Sequence, residues 1–204
     1  LIDEPHGDID LANSGLDITG AIAILNVGSF KTWTRRVLSH SGNTFTYDPV
    51  PGWKTKHHDY FLEGKLAFLD TEGEWFLDTL TNELYFWPPD NGDPNDLSIR
   101  GKVQSYAFEI SNSDHVQIKN IEFFGTTFNF SNCDYAVIEN CNLWFPSCYK
   151  RMLGVVDNHP DMSLFSSSSN CLVYKCAFRY TDGSVLEMYS GNNTIEDCYF
   201  YHID

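Results

Sequence analysis

Four segments in the second half of the chain repeat one pattern, and a self-repeating pattern leaves few folds open. They are His115-Val116-Gln117-Ile118-Lys119-Asn120-Ile121-Glu122-Phe123, Tyr135-Ala136-Val137-Ile138-Glu139-Asn140-Cys141-Asn142-Leu143, Asn170-Cys171-Leu172-Val173-Tyr174-Lys175-Cys176-Ala177-Phe178 and Asn192-Asn193-Thr194-Ile195-Glu196-Asp197-Cys198-Tyr199-Phe200. Aligned, they give three columns. One holds Ile118, Ile138, Val173 and Ile195; a second holds Ile121, Cys141, Cys176 and Cys198; a third holds Phe123, Leu143, Phe178 and Phe200. The first column advances by 20, 35 and 22 residues, so regular coils are interrupted by one long excursion at about residues 146–162. Within each segment the apolar residues alternate as on a strand, with a turn setting the first two columns three apart. A 3.6-residue period never runs the ten or more residues a helix needs. Short strands separated by polar turns, returning at this interval, describe parallel coils stacked ~4.8 Å apart. A further strand precedes each segment, aligning Phe108 and Ile110 with Phe128 and Phe130, Ser163 and Phe165, and Leu186 and Met188. One such coil cannot bury its own apolar face, whereas a stack buries it continuously.

Residues 1 to about 100 lack this repeat. The strongest local signal is Gly73-Glu74-Trp75-Phe76-Leu77-Asp78, the polar Thr79-Leu80-Thr81-Asn82, then Glu83-Leu84-Tyr85-Phe86-Trp87-Pro88-Pro89. Two aromatic runs about a polar turn predict an antiparallel hairpin pairing 75–77 with 84–86, ended by the prolines, with Trp75 and Trp87 packing its core. Asp90-Asn91-Gly92-Asp93-Pro94-Asn95-Asp96 reads as a turn-rich linker, because it lacks the spacing and terminal Glu of an EF-hand loop. The expected organisation is an antiparallel β-rich subdomain at 1–100, with its hairpin at 73–89, followed by parallel coils at 101–204.

Composition narrows the partners. Thirteen Lys and Arg stand against 28 Asp and Glu, a formal net charge of −15. So acidic a chain repels phosphate backbones and anionic bilayers, and neither nucleic acid nor membrane is an expected partner. No run of 18 apolar residues occurs, and 15% aromatic residues speak for a packed β protein rather than a disordered one. The six cysteines, at 133, 141, 148, 171, 176 and 198, lack the Cys-x-x-Cys pairs of zinc sites. The repeat instead assigns Cys141, Cys176 and Cys198 to a buried ladder of free thiols, and leaves pairing among Cys133, Cys148 and Cys171 open. The opening Leu1-Ile2-Asp3-Glu4-Pro5 is neither an initiator Met nor a signal peptide, and the closing Tyr199-Phe200-Tyr201-His202-Ile203-Asp204 is strand-like without a polar cap. Because an uncapped coil exposes core and strand edges, the expectation is a fragment whose partner is the missing remainder of the same chain.

Tyr60-Phe61-Leu62-Glu63, Leu69-Asp70, the Gly73–Asp78 run and Leu84-Tyr85-Phe86-Trp87-Pro88, followed by coils, resemble bacterial carbohydrate-active enzymes of the pectate-lyase-like β-helix superfamily with an inserted β subdomain. The resemblance spans about residues 20–204, and its Gly-Glu-Trp hairpin is more specific than its coils. It implies an all-β fold, a right-handed parallel β-helix with an N-terminal antiparallel β subdomain. It further implies an extracellular or periplasmic protein cleaving glycosidic bonds in a polysaccharide or oligosaccharide, as glycoside hydrolase or polysaccharide lyase. No family-diagnostic catalytic motif accompanies it. The alternative is a non-catalytic β-helix adhesin, or a structural or carbohydrate-binding protein, which needs stacked side chains but no acid–base pair.

Extending the third column places Tyr180-Thr181-Asp182 over His202-Ile203-Asp204, so that Asp182 and Asp204 fall one strand spacing apart on adjacent coils. Carboxylates that close push their pKa values apart and suit an acid–base pair, a retaining glycosidase pair, or a shared Ca2+. His202 adds a titratable donor beside them. The excursion gathers Lys150, Arg151, Asp157, His159 and Asp161. A lyase acting on uronic acids needs a cation against the carboxylate and a base for the adjacent proton, roles open to Lys150 or Arg151 and to His159. Trp53, Tyr60, Trp144 and Tyr180 are the candidate sugar platforms. No cofactor is otherwise called for.

Overall fold

The computed structural model describes residues 10–28, 31–50, 59–156 and 160–203. The protein is all-β, a parallel β-solenoid of about four turns with an antiparallel sheet at its N-terminal side. Two compact units are formed, Leu1–Ile99 with Lys150–Asn158, and Arg100–Tyr149 with His159–Asp204. Of the calls made from sequence, those on Trp53, Asp157, His159 and Asp204 fall outside the described residues.

In the first unit, β1 (Ile22–Gly28), β2 (Lys31–Ser41), β3 (Thr44–Tyr47) and β4 (Asp59–Glu63) form an antiparallel sheet in the order β3-β2-β1-β4. β1 lies between two neighbours, and Ile22, Ala23, Ile24 and Leu25 are all buried. An unbroken apolar run, rather than an alternating one, is what burial on both faces of a strand requires. Its cluster is closed by Ile18, Val37 and Phe45, with Tyr60 edge-on to Phe45 at 5.1 Å between ring centroids. Tyr60 thereby packs, partly buried, against the core of this unit.

The hairpin forms as the sequence predicts: β5 (Trp75–Asp78) pairs with β6 (Glu83–Phe86), with Trp75 opposite Phe86 and Leu77 opposite Leu84. The Asp78 carboxylate accepts the N–H groups of Leu80 and Thr81, and Asn82 takes a left-handed φ of 59°, which closes the turn. Trp75 is nonetheless exposed rather than packed, as is Leu84. The Phe76–Tyr85 ring pair occupies the opposite face, which is the half-buried one. Trp87 is half-buried and donates from Nε1 to Asn91 Oδ1.

In the second unit each coil contributes three strands, and like strands stack in parallel. The first sheet holds β7 (Tyr106–Ser111), β10 (Thr127–Ser131), β13 (Ser163–Ser166) and β16 (Leu186–Met188). The second holds β8 (Gln117–Lys119), β11 (Val137–Glu139), β14 (Leu172–Tyr174) and β17 (Thr194–Glu196). The third holds β9 (Glu122–Phe124), β12 (Asn142–Trp144), β15 (Ala177–Thr181) and β18 (Tyr199–Ile203). The registers pair Ile118, Ile138, Val173 and Ile195 in one row and Phe123, Leu143, Phe178 and Phe200 in another, the rows read from the repeat. Phe130 and Phe165 stack at 5.1 Å between centroids within the first sheet's inner row.

Alternation breaks at one residue between the second and third strands of each coil. Asn120, Asn140, Lys175 and Asp197 all have positive φ, between 52° and 59°. Asn tolerates this conformation better than other non-glycine residues, and the Asn140 side chain donates to Asn120 at 2.6 Å across coils. That left-handed residue is why the inward columns lie three apart.

The thiols are free and stacked. Cys141 and Cys176 are 1% exposed, and Cys198 packs half-buried against the same core. Cys133 and Cys171, left open by the sequence, form a second buried pair on adjacent coils, the Cys171 thiol lying 3.4 Å from the Cys133 carbonyl. Cys176 is hydrogen-bonded to Cys141, and that bond together with burial pushes its thiol up from the ordinary range.

Candidate functional site

The outer face of the third sheet is a grid. Between the inward-facing residues lie two outward rows. One runs Glu122, Asn142, Ala177, Tyr199 and the other Phe124, Trp144, Arg179, Tyr201, each set in register on successive coils. A third row follows at the coil corner, Gly125, Phe145, Tyr180 and His202, with φ of 66°, 53°, 57° and 49°. The backbone turns through a left-handed residue there and projects the side chain away from the core. Only glycine does so without strain, and bulky residues held in this region cost of order 1–2 kcal/mol each. Three of the four corners nevertheless carry a ring.

The rings form one connected surface. Tyr180 stacks on Phe145 at 5.3 Å and on His202 at 5.2 Å, with interplanar angles of 19° and 15°. Trp144 stacks on Tyr180 at 6.0 Å, and Tyr201 meets Tyr180 edge-on at 5.6 Å. Arg179 is laid over Trp144 and Tyr199, its guanidinium carbon 4.8 and 5.5 Å from their ring centroids, and donates to Asn142 Oδ1 at 3.1 Å. Phe124, Phe145, Tyr180, Tyr199 and Tyr201 are each more than a third exposed. An apolar, contiguous surface of this kind on a polar chain marks an interaction site.

At the corner row the surface dips into a groove of about 260 Å³, lined by Phe145, Ser147, Cys148, Tyr180, Thr181, Asp182 and His202. Asp182 is fixed there. Its Oδ2 accepts the Tyr149 N–H at 3.1 Å, its carbonyl accepts the Ser147 hydroxyl at 3.2 Å, and Gly183 turns the chain with φ 72°. One carboxylate oxygen thus serves the backbone at the groove.

The residues singled out from sequence separate. Trp144, Tyr180, Asp182 and His202 come together on this face and its groove. Lys150 and Arg151 belong to the first unit: Arg151 makes an ion pair through Nε with Glu63 of β4, and the Lys150 carbonyl accepts the N–H groups of Leu153 and Val155 in a short 3-10 turn. The Arg151 guanidinium is committed to holding that segment. Among the described residues no three of His, Cys, Asp and Glu gather to hold a metal ion, and Asp204, which the sequence sets beside Asp182, lies outside them. Sequence reasoning missed Phe124, Phe145, Arg179, Tyr199 and Tyr201. Their signal was present in the residues flanking the third inward column: Phe124, Arg179 and Tyr201 directly follow it, Tyr199 precedes it, and Phe145 lies two positions beyond it.

Fold and site together define a parallel β-solenoid with an aromatic outer face. Compared with family models, curated proteins and solved structures, the chain finds no match in any of the three.

Proposed function

We propose that this protein binds a linear polysaccharide along the aromatic face of its third sheet, as a carbohydrate-active β-solenoid of the pectate-lyase-like kind working in an extracellular or periplasmic setting. The observation that carries the reading is the in-register grid of Phe124, Trp144, Phe145, Tyr180, Tyr199 and Tyr201. Pyranose rings present flat apolar C–H faces between polar hydroxyl edges, and an aromatic ring flanked by hydrogen-bonding groups matches both. Coils repeat at about 4.8 Å, so a polymer crossing the strands meets an equivalent row of contacts at each step. Affinity electrophoresis or calorimetry against a panel of neutral and charged polysaccharides tests this. Trp144→Ala with Tyr180→Ala should weaken binding of the best polymer at least tenfold. Unchanged affinity in that double variant overturns the reading.

A second reading, glycosidic cleavage, rests on the groove in which Asp182 and His202 adjoin the platform. There Asp182 would act as acid, base or nucleophile on the sugar bond nearest Tyr180. Loss of such a carboxylate lowers turnover by ~10²-fold or more. Reducing-end release by wild type and Asp182→Asn measures it, with absorbance near 235 nm separating elimination from hydrolysis. Equal release by the two takes Asp182 out of the reaction, and release by neither leaves binding without cleavage.

A further inference from the structure

Several cations of this protein are held by acidic side chains or by backbone carbonyls. Lys119 pairs with Glu139 at 2.7 Å, and Arg151 pairs with Glu63. With 28 acidic residues against 13 basic ones, a carboxylate partner is easily had. Two arginines of the solenoid depart from this pattern in the same way. Arg100 lies over the Phe124 ring, 5.1 Å from its centroid, and Arg179 lies between Trp144 and Tyr199. Neither makes an ion pair among the described residues. Both therefore sit against rings of the aromatic face just described, with no guanidinium N–H spent on a carboxylate among the described residues. Arg179 uses Nη1 on Asn142 and keeps its other donors.

Their separation carries the chemistry further. Phe124 belongs to the first coil and Arg179 to the third, two register steps along one row, a distance of about 10 Å at the strand spacing. A pyranose in an extended polymer advances by roughly one strand spacing, so the two guanidiniums face alternate sugars. An arginine fork grips a carboxylate or a sulfate by paired N–H bonds, and its affinity for the anion rises where rings exclude water.

We propose that Arg100 and Arg179 make this face selective for a linear polysaccharide bearing one anionic group, carboxylate or sulfate ester, on every second sugar. The inference rests on the platform reading above and adds the charge and period of the polymer. The net charge of −15 is no obstacle, because distant repulsion is screened beyond about 8 Å at physiological ionic strength while contacts at the fork are not. It works as a filter, since a densely charged polymer meets more carboxylates than the two cations offset.

Calorimetry with the full chain tests this using four probes of matched length. They are a neutral β-linked glucan, hyaluronan with its glucuronate on alternate sugars, κ-carrageenan with one sulfate ester on alternate sugars for the sulfate arm, and polygalacturonate with a carboxylate on every sugar. Hyaluronan or κ-carrageenan should bind at least tenfold tighter than the glucan at physiological ionic strength, and the advantage should shrink without vanishing in 0.5 M NaCl. Arg179→Met and Arg100→Met, checked for an unchanged near-UV circular dichroism spectrum, should each cut that advantage at least fivefold. Arg179→Lys, which keeps the charge without the fork, should fall between. Glucan binding as tightly as the alternating polymers, or the Met variants lowering glucan and hyaluronan binding alike, overturns the selectivity while leaving the platform standing. Polygalacturonate binding as tightly as hyaluronan overturns the alternate-sugar period. Failure of all four probes, in wild type as well, brings down the platform reading itself.

Discussion

The two units reach a dry core by opposite routes. In the antiparallel sheet, β1 is apolar at consecutive positions because both its faces are covered, and one cluster around Phe45 and Leu25 closes the unit. In the solenoid the second-sheet strands alternate, with Ile118, Ile138 and Val173 each buried between less buried neighbours. Each strand contributes one or two inward residues to a row shared with its neighbours, and the outward residues repeat with the same register. A closed core offers no repeated outer surface. The solenoid, by contrast, gives every outward position a counterpart one strand spacing away, so that a row of rings arises from ordinary stacking. That difference places the aromatic face on the solenoid and gives it a repeat at the strand spacing.

The comparison is most exposed at an inner row. Phe165 is fully buried and packs on both Phe128 and Phe130, so Phe165→Ala should cost about 3–5 kcal/mol. Urea denaturation followed by circular dichroism measures it, and a loss below 1 kcal/mol would show that stacked rows are not what stabilises the coils. Next comes the pair that ties the segment after Lys150 to the first unit. Arg151→Ala leaves the partly buried Glu63 without its partner and should cost about 1–3 kcal/mol. No change in the denaturation midpoint would return Arg151 to the pool of residues free for a ligand. The corner residues should matter less individually. Asn140→Ala loses both the bond to Asn120 and the tolerance for positive φ, a cost of about 1–2 kcal/mol, and Asn140→Gly should recover part of it. If Gly is worse than Ala, the left-handed turn is not what the column demands. At the small end, Leu80 at the hairpin tip is 93% exposed, and Leu80→Ser should shift stability by no more than about 0.5 kcal/mol. A larger loss would mean that the tip is covered by a contact of its own.

Much of the solenoid was legible because its inward residues are constrained twice, by burial and by register. Ile138 must match Ile118 and Val173, and a substitution scheme that keeps three coils apolar at one spacing survives in a single sequence as a visible column. The hairpin was legible for a local reason, since Trp75 to Phe86 spans one turn and its pairing needs no distant partner. The second thiol pair was not, because Cys171 aligns with Ala136 while Cys133 falls before the aligned segment, and only the contacts between coils bring the two together.

What the sequence determined by itself was the class of fold, the inner columns and the hairpin, all of which follow from where apolar residues recur along the chain. What only tertiary structure decided was the use of each polar and aromatic residue outside those columns. Arg151 looked available until Glu63, 88 positions earlier, took its charge. Arg179 carried no signal until stacking set it between Trp144 and Tyr199. The physical reason is that burial acts on every residue of a core and so writes a periodic record, whereas a charge pair or a ring stack is settled by a few atoms within about 4–6 Å, brought together only when the coils close on one another.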